Sequence, residues 1–537
     1  MLIGYVSDED YSALADVLIE FDTDGQSVAV TRSTVRGAVY ADLPPGEYRV
    51  TLQKSGYGSK RVHLSALNSR LSTPYQFRLL SDRLAGFMWP KWVRSGERSE
   101  FRVHSTEPYR LSLYRYGLSK ELVRLVGWFD AHGPRAVMQI TPDGDYSQTG
   151  VQWNRVGWSS PHHTQFVEAP ERSGLYYLHA ETESGEFFSF PWVVAPRKPS
   201  APIAVLASTN TWNAYNAFGG RSNYVNARGL PNEPTVNARQ DLQRYNRPEG
   251  GSYDEWLFPD SDYAPLCFER PERGNHIPKS VEATDPIRGR DGCHMAPAEW
   301  RLLAWLEREG FEYDLYSEAQ LHDGTLDLRG YQTLILSTHP EYWSRDMYSK
   351  VKRWVYDEGG KLLYLGGNGL NCEVEFLDDD SMRCLSQIPA AGSMGSGEVE
   401  SRFHRTFESE ANLLGVVCTD AGIMTAAPYR VEDGEHWVFD GTGLKTGDLF
   451  GFVSLHERVP GGASGHETDK RSASSLAETM LLAKGLNPDD GGAEMTIYCA
   501  DRGAVFSVGS ITWPASLLVD EHVSRITRNV LERFTAR

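Results

Sequence analysis

Three short segments hold residue types that could do chemistry together. The first, Thr209 to Gly220, carries Tyr215. The second, Thr338-His339-Pro340-Glu341-Tyr342-Trp343, offers an imidazole, a carboxylate and a phenol, and the third, Gly366-Gly367-Asn368-Gly369, sets an amide in a tight turn. Each follows an apolar run of strand length: Ile203 to Ala207, Thr333 to Ser337 and Leu362 to Leu365. In a doubly wound α/β sheet such tips converge on one crevice outside the carboxyl ends of the strands, which makes Tyr215, His339, Glu341, Tyr342 and Asn368 candidate neighbours. A hydrolase of this architecture places Ser or Cys in the strand-to-helix elbow, with a His and a carboxylate to activate it. Here Asn368 stands in the elbow after Leu365, and neither Cys372 nor Cys384 is placed to replace it. An amide side chain cannot be an activated nucleophile, so activation of water would fall to a metal acting as a Lewis acid. The motifs H-E-x-x-H, C-x-x-C and the EF-hand loop are absent. That leaves hard oxygen donors, Glu341 with phenolates of this Tyr-rich region, a set matched to Fe(III). On spacing alone a plainer reading prevails, in which Tyr215 and Tyr342 are half-buried core rings and Glu341 pairs with an Arg.

The elements that must position these residues begin at the linker Ala195 to Pro202, whose prolines exclude both helix and central strand. Beyond it, continuous apolar runs alternate with helical periods, the pattern of a parallel sheet covered on both faces. Phe311 to Tyr316 reads as a further strand, as does Ala504 to Val508 near the end. Helices are expected over Ala296 to Gly310, Ser344 to Glu358 and Val523 to Phe534. In the second of these, Met347, Val351, Trp354 and Val355 form one apolar stripe. The long segment Ser208 to Met295, rich in Pro, Gly, Asn and Tyr, reads as a functional loop at the ligand-binding edge of the sheet. Before the linker the grammar is all β. Residues 1–81 alternate between short strands and turns and read as a small β-sandwich. Residues 82–196 read as an immunoglobulin-like sandwich. The pair His162-His163 within it lacks further ligands at metal spacing.

Composition agrees with a globular chain of about three domains, at roughly 100–200 residues each, over 537 residues. A net charge of −18 opposes nucleic acid and anionic lipid, whose binding needs clustered Lys and Arg. No run approaches the roughly 20 apolar residues of a membrane span, and Met1-Leu2-Ile3 leads directly into Ser7-Asp8-Glu9-Asp10, unlike a signal peptide. The six cysteines show no C-x-x-C pair and are expected to be buried, reduced thiols of a cytoplasmic protein.

Two resemblances are carried by the residues themselves. Gly4 to Val17 with Leu43-Pro44-Pro45-Gly46-Glu47-Tyr48-Arg49-Val50 resembles the carboxypeptidase regulatory-like module, a seven-stranded accessory domain without chemistry. The segments Ala207 to Asn216, Leu336 to Ser344 and Leu363 to Gly369, continued by Phe403-His404-Arg405, Leu413-Leu414-Gly415-Val416 and Gly465-His466-Glu467-Thr468-Asp469, resemble the large (β) subunit of N,N-dimethylformamidase over roughly Pro199 to Arg537. That family implies a multidomain chain: β-sandwich modules, then, over 199–537, an α/β class I glutamine amidotransferase-like (flavodoxin-like) domain lacking the catalytic Cys. It implies a mononuclear Fe(III) held by two tyrosines and a glutamate, hydrolysing short N-alkylated formamides to formate and an amine. Carried onto this sequence, the ligands are Glu341, Tyr215 and Tyr263, with Tyr253, Tyr245 and Tyr224 open for the second tyrosine. His339 and Asn368 would orient substrate or water, and Glu467 would serve as a further acid, base or positioning group. A homo-oligomer with a small companion subunit is the implied assembly. The competing expectations are a carbohydrate- or ligand-binding protein with an inactive amidotransferase-like domain, and an interaction scaffold in which Tyr215 and Glu341 lie far apart.

Overall fold

Alternation of apolar and polar residues builds the N-terminal sheets, because period-2 side chains put one strand face in a core and leave the other wet. In a computed structural model of the chain, residues 1–66, 74–131, 165–219, 222–223, 233–234, 260–263, 265–285, 293–378, 380–386, 399–456 and 458–536 are described. Seven strands between Leu2 and Arg78 form a three-stranded and a four-stranded sheet. These close over Ile3, Val17, Ile19, Phe21, Val50, Leu52 and Phe77. The described strands between Ala85 and Ala195 form a three-stranded and a five-stranded sheet. The five-stranded sheet has two apolar faces: Tyr176 and Leu178 turn into the core of the β region, while Leu175 and Tyr177 turn into a core shared with Trp300 beyond the linker. The pair His162-His163 lies outside the described residues.

After the linker, one nine-stranded sheet organises the chain. Its strands are β1 (Ile203–Ala207), β2 (Tyr313–Ser317), β3 (Thr333–Thr338), β4 (Lys361–Gly366), β5 (Tyr429–Val431), β6 (Leu449–Phe450), β7 (Met480–Gly485), β8 (Glu494–Cys499) and β9 (Ala504–Ser507), in the spatial order β2-β1-β3-β4-β9-β8-β7-β5-β6. The first five in that order are mutually parallel; the rest join antiparallel. Alternate residues of the parallel strands face opposite cores. Val205, Ile335 and Leu363 pack with helices α2 (Ala296–Arg308) and α4 (Glu521–Thr535), and Leu206, Leu334 and Leu362 pack with α3 (Arg345–Glu358). This is why those strands read as unbroken apolar runs. The stripe Met347, Val351, Trp354 and Val355 is buried; Ser344 Oγ caps α3 at the Met347 N–H, and Gly359 ends it with φ 85°.

Three features depart from the sequence reading. The segment after β1 opens not as loop but as a helix, α1 (Thr209–Tyr215), with all residues but Tyr215 buried. The sheet carries four antiparallel strands of two to six residues, which are too short to announce themselves. All six cysteines are free, but Cys418 is half-buried and Cys499 exposed rather than buried. Among the described residues, no helix is long and apolar enough to cross a membrane.

Candidate active site

The parallel strands follow the order second, first, third, fourth, fifth, so the chain leaves β1 and β3 in opposite directions and opens a crevice between their carboxyl ends. Helix α1 starts there, and its first turn is held by carboxyl groups from elsewhere. The Ser208 N–H donates to Glu299 Oε1 (3.2 Å) and the Asn210 N–H to Glu318 Oε2 (2.8 Å). The same two carboxyls accept the indoles of Trp212 and Trp343, each at 2.8 Å. Thr211 stitches α1 to the neighbouring loop: its hydroxyl donates to His339 O (2.7 Å) and accepts the Glu341 N–H (3.2 Å). Tyr215 Oη then donates to Glu341 Oε2 at 3.1 Å.

Around that contact lies a largely buried charged group. His339 and Glu341 are each 1% exposed. His339 Nε2 lies 3.3 Å from Glu341 Oε2 and 3.1 Å from Glu467 Oε2. Asn368 Nδ2 donates to Glu467 Oε2 (2.8 Å), and Arg402 Nη2 donates to Glu341 Oε1 (2.5 Å). Burial alone would strip the proton from His339, but the Glu467 and Glu341 carboxylates override it and push its pKa up to about 10. Burial likewise opposes ionisation of both carboxyls. Arg402 and then His339 hold Glu341 below the ordinary carboxylate range, and His339 does the same for Glu467. Among the described residues, the buried Tyr263 Oη and His339 Nδ1 have no hydrogen-bond partner.

The backbone carries strain at this site. Thr338 (φ 58°) precedes His339, Asn368 (φ 49°) is itself in the group, and His466 (φ 68°) precedes Glu467; left-handed conformations in such residues persist only where surroundings enforce them. At the elbow, a Cβ on Gly367 would stand 2.4 Å from Glu467 O, so only glycine lets the two loops touch. Every elbow N–H is consumed. Gly367 donates to Thr338 O (3.1 Å), Asn368 to Asp469 Oδ1 (2.8 Å), Gly369 to Tyr364 Oη (2.6 Å) and Leu370 to Pro340 O (2.8 Å). No elbow N–H is left over to stabilise an oxyanion in the manner of a nucleophile elbow.

Of the residues singled out from sequence, Tyr215, His339, Glu341, Asn368 and Glu467 come together, which removes the condition for a scaffold with Tyr215 far from Glu341. The plainer expectation is met in one respect, since Glu341 does pair with an Arg. Tyr342 is buried beside them and its hydroxyl accepts from Asn223 Nδ2 (2.9 Å) rather than facing the group. Tyr263 is buried, but no hydrogen bond among the described residues ties it to Tyr215 or Glu341; the Arg402 charge acts on both Glu341 and Tyr263. Tyr253, Tyr245 and Tyr224 lie outside the described residues. Sequence reading missed Arg402, one residue ahead of the quoted Phe403-His404-Arg405, and His294, whose ring packs on Tyr215 (4.6 Å), His339 (5.5 Å) and His466 (5.5 Å). Cys293, His456 and His466 also cluster, with possible ligand atoms within 4.8 Å of one another. His456 Nδ1 accepts the Val459 N–H (3.2 Å), so its proton sits on Nε2, which donates to His466 Nδ1 (3.0 Å). A metal-bound imidazole would instead donate through its second nitrogen, so this trio is a hydrogen-bonded pair beside a thiol.

Comparison with known proteins gives a consistent match. Residues 112–525 match the model of the family described as N,N-dimethylformamidase beta subunit-like, C-terminal. The match reaches back past the expected start at Pro199 into the second β region. An N,N-dimethylformamidase beta subunit of Paracoccus aminophilus is 24% identical over 500 residues, 74% of this chain and 61% of the relative. One of an Alcaligenes species is 24% identical over 488 residues, 73% of this chain and 59% of the relative. The chain thus spans about three fifths of the length of the curated relatives it matches. A solved Bacteroides ovatus mixed-linkage glucan utilization locus protein, SGBP-B, in complex with a heptasaccharide, aligns with a TM-score of 0.12 and 10% identity over 39% of this chain and 48% of that one, a likeness too slight to carry an argument.

Proposed function

The chain belongs to the N,N-dimethylformamidase beta subunit-like family, and from that premise we propose that it hydrolyses a small N-substituted amide, N,N-dimethylformamide or a close analogue, to formate and an amine. One observation carries the reading: Tyr215 Oη and Glu341 Oε2 meet at 3.1 Å although 126 residues apart, inside a buried group with His339, Glu467 and Asn368. The proposal includes a mononuclear Fe(III). Two oxygen donors, each about 2 Å from one ion, stand about 3 Å apart when adjacent, which is the Tyr215–Glu341 spacing. The buried Tyr263 hydroxyl, without a hydrogen-bond partner among the described residues, is the kind of group that a ligand satisfies. Tyr215, Tyr263 and Glu341 would hold the ion, which when bound polarises the amide carbonyl and acidifies a water.

The remaining work falls to side chains. Glu467, kept ionised, accepts a proton from the attacking water, and Asn368 Nδ2 holds that carboxylate in place. His339, kept protonated, donates to the departing nitrogen as the new C–O bond forms and the C–N bond breaks. In the same reading the parallel part of the sheet is an amidotransferase-like domain with Asn368 in place of its nucleophile, supported by the strand order and the elbow. The relatives are named as beta subunits, so we infer an assembly with a further subunit and repeated copies of this chain; the six free thiols fit a cytoplasmic setting.

Metal analysis with a visible spectrum, alongside an assay for formate and dimethylamine, tests the proposal. Expected are stoichiometric iron, a phenolate-to-iron absorption band and both products. A colourless, iron-free protein that still turns the amide over sinks the metal; an inert one leaves the ligand-binding alternative. In Glu341→Ala iron loading is lost, and retained iron contradicts the ligand assignment.

A further inference from the structure

Beneath Asn368 two buried side chains grip the elbow, and no hydrogen bond among the described residues ties either of them to Tyr215, Tyr263 or Glu341. Asp469 (1% exposed) accepts the Asn368 N–H on Oδ1 at 2.8 Å and the Tyr364 hydroxyl on Oδ2 at 2.7 Å. Tyr364 Oη in turn accepts the Gly369 N–H at 2.6 Å. Two consecutive amides are thus fastened to one carboxylate–phenol pair, at the residue whose φ is 49°. Asp469 sits on the strand Thr468–Lys470, two residues beyond Glu467, and is itself pinned by its N–H to Gly509 O at 2.9 Å. One rigid unit therefore sets both the backbone of Asn368 and the position of Glu467, the partner of the Asn368 amide.

We infer that Asp469 and Tyr364 are positioning residues that hold the Asn368 side-chain amide against Glu467 beside His339, spending the elbow's N–H groups on this instead of on an oxyanion. The inference rests on the hydrolytic reading above. A side chain in left-handed backbone drifts toward the ordinary region once its clamp is gone. Asn368 Nδ2 would then leave the 2.8 Å contact with Glu467.

The test uses the full chain carrying Tyr364→Phe, which keeps the ring in its core and removes only the oxygen, with Asp469→Asn and the double variant beside it. Hydrogen exchange of the Leu365–Asn371 peptide, which needs no turnover, is expected to quicken about tenfold in Tyr364→Phe. On N,N-dimethylformamide, kcat is expected to fall about 100-fold with KM, iron content and visible band unchanged. The double variant is expected to be no worse than the more damaged single, because both residues act through one element. Unchanged exchange overturns the clamp; a kcat that stays high, or that falls only in step with lost iron, overturns its positioning role. A wild type without amide hydrolysis defeats the hydrolytic reading and the role built on it, while the exchange result still decides whether the clamp holds the elbow.

Discussion

At the scale of single residues, Arg402 is the addition that matters most. Its guanidinium takes Glu341 Oε1 and leaves Oε2 to face Tyr215 and His339. In the proposed centre this makes Glu341 a ligand through one oxygen, with the other held in place, and such outer partners are typically worth 10–100-fold in metal affinity. Arg402→Ala should therefore release iron to a chelator at roughly 10–100-fold lower concentration than the wild type, with Arg402→Lys between them because an ammonium supplies charge without the fork. Graded chelation followed by metal analysis reads this, and identical retention in all three proteins would remove Arg402 from the centre. Nothing in the sequence marks Arg402 out. It comes from a five-residue helix, Arg402–Thr406, far along the chain from Glu341 and without a period of its own.

At the scale of elements, helix α1 shows why the sequence and the structure diverge there. Its residues have no apolar period and its cap residue Ser208 makes no side-chain cap bond; Glu299 on α2 and Glu318 hold its first turn instead. Burial pushes Glu299 up to about 8, against the hydrogen bonds of Trp212 and Ser208 that pull it down. Its folded pKa thus lies above the unfolded value near 4.5, so the fold favours the protonated form. That contribution is complete below the unfolded pKa and drains away as pH climbs toward 8, at up to about 1.4 kcal/mol per pH unit. Denaturation midpoints measured from pH 6 to 8 should fall in the wild type and fall less in Glu299→Gln; parallel curves would show that Glu299 does not titrate in this window. By contrast β1, β3 and β4 were legible because a strand buried on both faces has to be apolar throughout, and the tips after them were legible because ligand-binding groups collect at strand ends. The antiparallel strands β5 to β8 were not, since short strands draw their stability from neighbours rather than from their own pattern.

For the whole molecule, the linker at Ala195–Pro202 is a change of grammar but not a gap between cores. Tyr116, Leu175, Tyr177 and Val193 share one apolar core with Trp300, Trp305 and Leu315. Polar ties cross the same boundary: Trp300 Nε1 donates to Gly117 O (2.7 Å), and Arg115 pairs with Glu307 (2.5 Å). The first sandwich encloses its own core and meets the rest through polar contacts such as Asp10 with Arg273 (2.6 Å) and through a small apolar cluster of Leu80, Phe87 and Phe218. A chain beginning at residue 83 should therefore stay monodisperse on size exclusion, whereas one beginning at 199 should aggregate, since it bares a large apolar face; a monodisperse 199 form would refute the shared core. The family match starts at residue 112, within the strand Tyr109–Tyr116. Because the five-stranded sheet braces Trp300, and Glu299 beside it braces α1, recombination that exchanged the second β region for a foreign one would also dislodge Tyr215. The two therefore form one structural piece, whereas the first sandwich is built around a core of its own.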